Sequence, residues 1–95
     1  MARIVQLTDN TLLGFARDNR IRGAIPLFGR LFKSIGKQSG CRCRKKHGTL
    51  GAVLAGMKLA IARDAGLAGR LKKMIGATVL VVHVREGRSI VRREV

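Results

Sequence analysis

The chain has 95 residues, with 20 Lys and Arg against 5 Asp and Glu, and a formal net charge of +15. That length supports a single domain over residues 1–95 with one modest core, and a charge of this size opposes compaction unless an anionic partner relieves it. Three Phe with no Trp or Tyr leave little to stack bases on, so contact with a polyanion is expected through phosphates rather than bases.

In chain order, residues 3–7 hold the β-branched pair Ile4 and Val5 and are bounded by Thr8, Asp9 and Asn10, which predicts a short strand. Thr8 or Asp9 is placed to cap a helix running to about Asp18, with Leu12, Leu13, Phe15 and Ala16 apolar; Gly14 weakens its interior. Residues 18–23 read as a turn that exposes Arg20 and Arg22. Pro26 suits the first turn of the next helix. There Phe28, Leu31, Phe32 and Ile35 recur at i, i+3, i+4 and i+7, a packed face, while Arg30, Lys33 and Lys37 share the opposite one. Gly36 is the expected stop.

Residues 36–48 have no periodicity and carry Lys37, Arg42, Arg44, Lys45 and Lys46 with no acid. No acidic residue stands between Asp18 and Asp64, so this is not a self-neutralised face, and no apolar core accepts so many cations. The segment reads as a nucleic-acid-contacting loop between two helices.

Thr49 is expected to cap the following helix, with Leu50, Val53, Leu54, Met57 and Ile61 as its apolar stripe. Ala52, Gly56 and Ala60 form a second, small-residue stripe that invites close approach of another backbone, here read as tight core packing. Residues 50–62 are the longest apolar stretch, but Lys58 interrupts them, so no transmembrane segment is expected. Asp64 caps a further helix with Leu67, Leu71, Met74 and Ile75 inward, Arg70, Lys72 and Lys73 outward, and Gly76 as its stop. Residues 78–84 are nearly all apolar, which predicts a central or doubly buried strand. Glu86-Gly87 then turns the chain into a second strand over residues 88–94 with Arg88, Arg92 and Arg93 exposed. The expected fold is α+β: a short N-terminal strand, three or four amphipathic helices and a C-terminal β-hairpin.

Two cysteines separated by one residue are poorly placed to bridge each other, and the chain opens without a secretory apolar run; an intracellular, reducing compartment with free thiols follows. Cys41, Cys43 and His47, with His83 as a conceivable fourth ligand, form the one candidate zinc site, and the metal would then fold the loop. The C-x-C spacing lacks the usual two-residue gap, so free thiols among basic residues are the favoured reading and no cofactor is expected. His83 is simplest as a neutral ring at a core edge. Asp9 and Asp64 are explained as caps, no paired acids remain, and no Gly-rich phosphate loop joins a strand to a helix. No catalytic residues and no enzyme are expected.

The opening residues 1–14 (Met-Ala-Arg-Ile-Val-Gln-Leu-Thr-Asp-Asn-Thr-Leu-Leu-Gly) resemble the first strand and Asp-Asn-Ser/Thr turn of the universal large-subunit ribosomal protein fourteen family, in its organellar form. Residues 74–82 are similar to that family's Val-Gly-Asp strand, with Ala77 where the family has an acid. The resemblance spans about a quarter of the chain and implies a ribosomal RNA-binding role. The family is mostly β-barrel, whereas this chain reads as helical from Pro26 to Gly76.

The functional expectation is a small structural RNA-binding protein, a component of a ribosome or another ribonucleoprotein. Its phosphate contacts would come from Arg20, Arg22, Arg30, Lys33, Lys37, Arg42, Arg44, Lys45, Lys46, Arg70, Lys72, Lys73, Arg88, Arg92 and Arg93. No helix has the Asn- or Gln-bearing face of a major-groove reader, which favours RNA over DNA. The alternatives are a DNA-binding or DNA-condensing protein of a virion or nucleoid, and a protein-interaction or membrane-surface module using the Ala/Gly-rich helix.

Overall fold

The computed structural model describes residues 2–39 and 47–95, with side chains outside 37–39 and 47–49. The chain is α+β, in the order β1 (Ile4–Gln6), α1 (Asp9–Ala16), α2 (Asn19–Ala24), α3 (Pro26–Ser39), α4 (His47–Arg63), α5 (Ala65–Ile75), β2 (Val79–Glu86) and β3 (Ser89–Glu94). The sheet order is β1-β2-β3. β1 pairs with β2 in parallel, Ile4 opposite Val79 and Gln6 opposite Val81, so all the helices belong to one crossover. β3 returns antiparallel to β2 with Glu86 opposite Ser89, and Gly87 at φ 62° takes the positive φ needed at the first position of the two-residue turn.

Local chemistry sets most of the boundaries. The Thr8 hydroxyl accepts from the Thr11 N–H at 3.2 Å and starts α1. The Asp64 carboxylate accepts from the Leu67 N–H at 3.1 Å and starts α5, and Gly76 ends it in the left-handed region at φ 68°. Residues 18–23 are not the expected turn. The Asp18 carboxylate accepts from the N–H groups of Arg20 and Ile21 at 2.8 and 3.4 Å, which makes it the cap of α2, and Ile21 is buried. Gly36 does not stop α3 either: its φ is not positive, so the helical backbone continues to Ser39. α4 begins at His47, which places Thr49 inside the helix rather than at its cap.

The core lies between the helices and one face of the sheet. Leu80, Val82 and Val84 of β2 meet Leu12 and Ala16 of α1, Phe28 and Leu31 of α3, Leu54, Met57 and Ile61 of α4, and Ala68 and Leu71 of α5. Phe15 meets Phe28 edge-on, ring centroids 5.9 Å apart. β2 is the central strand, as its apolar run predicts. Alternation sends Val81, His83 and Arg85 to the opposite face. Val81 is still buried there, outside the helix-packed cluster, whereas His83 is exposed and not tucked against a core edge.

Two expected packing faces are corrected. Phe32 does not pack inward with Phe28 and Leu31; it is 44% exposed. The Ala52/Gly56/Ala60 stripe does not carry a close backbone approach: Ala52 and Gly56 are exposed, and a Cβ at Gly56 would meet nothing within 4 Å. Ala52 and Gly56 each stand two residues from Leu54, a rotation of about 200° that turns them away from the buried stripe.

Candidate nucleic-acid interface

The fold commits every acid it has. Asp18 and Asp64 cap α2 and α5, Asp9 pairs with Lys58 at 2.5 Å, Glu94 with Arg92 at 3.5 Å, and Glu86 with Arg93 through both the Nε and Nη2 of the guanidinium. These are the chain's five carboxylate side chains against 20 Lys and Arg, so most of the cations have no side-chain acid to offset them.

On α3, Arg30 and Lys33 are exposed one turn apart, as their spacing predicts. Lys37 lies further along the same helix, but its side chain is outside the described set. On α5, Arg70 and Lys73 are exposed and Lys72 is half-buried. α3 packs on α1, α2 and α4, whereas α5 packs on α4 and β2, so the two stripes ride on helices joined through α4.

The second patch is larger than its helix. Lys72 and Lys73 occupy the last turn of α5, where the carbonyl end of the helix favours cations. An Arg3 Nη1 lies 3.8 Å from the Cβ position of Gly76, immediately beyond that turn, and the Arg3 N–H donates to the Thr78 hydroxyl at 3.2 Å. Arg20 lines a cavity with Met74 and Ile75, and the Asp18 cap of α2 lines it too. Residues preceding β1, starting α2 and ending α5 therefore bring Arg3, Arg20, Lys72 and Lys73 around one helix end. Arg3 was not among the expected contacts, nor were the exposed Arg17, Arg63 and Arg85. Each stands outside a basic run, and nothing in their spacing marks them; Arg3 and Arg85 are placed by the paths of β1 and β2, and Arg17 and Arg63 by the ends of α1 and α4.

Three of the expected arginines are engaged within the protein. Arg22 is not an exposed turn residue: it donates to the Ala16 carbonyl at 2.8 Å and to the Asn19 side-chain oxygen, and covers Phe32. Arg92 and Arg93 hold the ion pairs above and lie on opposite faces of β3, while Arg88 is exposed in the turn. Arg42, Arg44, Lys45 and Lys46, with Cys41 and Cys43 of the candidate zinc site, lie outside the described residues; His47 opens α4 and its side chain is outside the described set. Among the described residues no three His, Cys, Asp or Glu side chains are grouped for a metal. No described helix is long and apolar enough to cross a membrane.

The segments that resemble the ribosomal family become α1 with β1 and the start of β2, paired side by side. Comparison with protein-family models, with curated proteins and with solved structures gave no match.

Proposed function

We propose that this chain is a small structural RNA-binding protein that works inside a ribonucleoprotein assembly of the ribosomal kind, in a reducing intracellular compartment. The observation that supports this reading is the excess of 20 Lys and Arg over five acids, each of which is engaged in a cap or an ion pair, which leaves the α3 stripe and the α5 end with an excess of positive charge. Phosphates supply the missing charge, and released counterions supply much of the affinity. Arg30 and Lys33 form one contact, and Arg3, Arg20, Arg70, Lys72 and Lys73 the other. The basic residues 42–46 extend the contact along the chain. Such a surface positions the protein on a folded backbone without reading bases.

RNA is favoured over DNA because Asn10, Asn19 and Gln38 stand singly near the ends of α1, α2 and α3, so no described helix offers a row of amide side chains to the major groove. The test is to identify the nucleic acid that copurifies after lysis without nuclease. A discrete structured RNA supports the reading. Bound DNA, or no nucleic acid together with no affinity for added RNA, contradicts it.

A further inference from the structure

β2 outruns its partner on one side. The parallel ladder with β1 ends at Gln6 opposite Val81, and the last bond on that side runs from the Leu7 N–H to the Val81 carbonyl at 2.8 Å. β2 continues to Glu86, paired with β3 alone. Leu80 exchanges both hydrogen bonds with Val95, each 2.8 Å, which fixes the phase of the strand. The N–H and carbonyl groups of Val82 and Val84 therefore point to β3, and those of His83 and Arg85 point to the side that β1 has vacated. Among the described residues nothing on that side bonds them.

The vacated side is a trough, not a flat edge. Two adjoining cavities share Asp9, Lys58 and His83 and continue along β2 past Gly51, Ala55 and Arg85. α4 turns its small residues toward this space: Ala55 is exposed and a Cβ at Gly51 would meet nothing within 4 Å. An open strand edge beside a shallow wall of Gly and Ala has the shape that accepts one more strand.

We propose that the edge of β2 at His83–Arg85, with the Gly51/Ala55/Lys58 face of α4, binds an extended acidic segment of a partner protein as an added β-strand. Two arguments choose this occupant. The edge alternates N–H donors and carbonyl acceptors at the strand repeat, which another peptide backbone matches step for step; the phosphates of RNA are acceptors only, and its donors, the 2′-hydroxyls and base amines, do not follow that repeat. Lys58 and Asp9 pair and offset each other at the trough, which leaves the exposed Arg85 as its net charge, so acidic side chains are complementary. A second copy would bring its own +15 charge against this one. The protein partner is additional to the RNA contact and uses a different surface.

The test uses the full chain and three probes: a short alternating Glu–Val peptide, its Lys–Val counterpart and a single-stranded RNA oligomer. Amide hydrogen exchange is expected to slow at His83 and Arg85 when the Glu–Val peptide binds, with Val82 and Val84 unchanged. Gly51→Leu and Ala55→Glu, one filling the trough and the other repelling the peptide, should each weaken peptide binding about tenfold or more, as loss of a central contact does. Both should leave the salt dependence of RNA binding unaltered. Either variant suffices, and unchanged exchange at Leu80 confirms its fold. Peptide binding without protection of His83 and Arg85, no preference for Glu–Val over Lys–Val, protection by the RNA oligomer, or protection through concentration-dependent self-association would each overturn the proposal. Loss of RNA binding alone would contradict the functional reading and leave the strand-docking result standing.

Discussion

The guanidinium of Arg22 lies over the ring of Phe32, its central carbon 4.1 Å from the ring centroid. The same side chain donates to the Ala16 carbonyl at 2.8 Å, so one arginine ties the end of α1 to α2 and to the face of α3. This contact shields a ring that is 44% exposed and takes Arg22 out of the set free to meet phosphate.

Arg22→Ala is therefore expected to destabilise the protein by about 1 kcal/mol, from the cation–π contact and a net hydrogen bond. Arg20→Ala, which removes a solvated side chain, should stay within about 0.5 kcal/mol. Denaturant melts of the two variants decide it: equal losses would mean that the Arg22 contact contributes nothing.

Leu54 is 5% exposed in the buried stripe of α4, beside Met57 and Ile61. Leu54→Ala should cost about 2–5 kcal/mol. A loss below about 0.5 kcal/mol would place that face of α4 against solvent or a partner.

The two ends of α5 offer a paired check. Removing the Asp64 carboxylate with Asp64→Ala should cost about 1 kcal/mol, since the Leu67 N–H loses its acceptor. Gly76→Ala should cost about 1–2 kcal/mol, because φ 68° carries a Cβ penalty. Gly36→Ala, at a helical position with open space around its Cβ, should instead stabilise by about 0.5–1 kcal/mol. A loss at Gly36 would show that the helix does break there.

These positions also mark what the sequence reveals. Thr8, Asp64 and Gly76 act within a few residues of themselves, so their roles are readable from local pattern. So is β2, whose apolar run needs a sheet on either side. Gly36 and Gly76 look alike as letters, and only the backbone angle separates a stop from a helical glycine. Asp18 looked like a turn former because α2 is too short to show periodicity. Phe32 falls on the apolar period of α3, yet it is 44% exposed and meets Arg22 of α2 instead of the core. The cluster of Arg3 and Arg20 with Lys72 and Lys73 joins residues about 50 to 70 apart in sequence, and no spacing rule reaches across that distance.

For residues 41–46 the expectation is that charge, not sulfur, supplies function. Changing Cys41 and Cys43 to Ser should leave stability and RNA affinity nearly unchanged. Changing Arg42, Arg44, Lys45 and Lys46 to Gln should weaken binding to all sequences alike and lower the salt slope by up to about 3–4 units. One zinc per purified chain, with unfolding on chelation, would show instead that the loop is built by metal.

The central claim is that unneutralised cations bind phosphates, and the salt dependence of RNA affinity tests it most directly. With six to eight phosphates neutralised, the slope of log K against log salt should be about −4 to −7. A slope of about −1 or shallower would contradict the account, because a surface built on phosphate contact must release counterions when it binds.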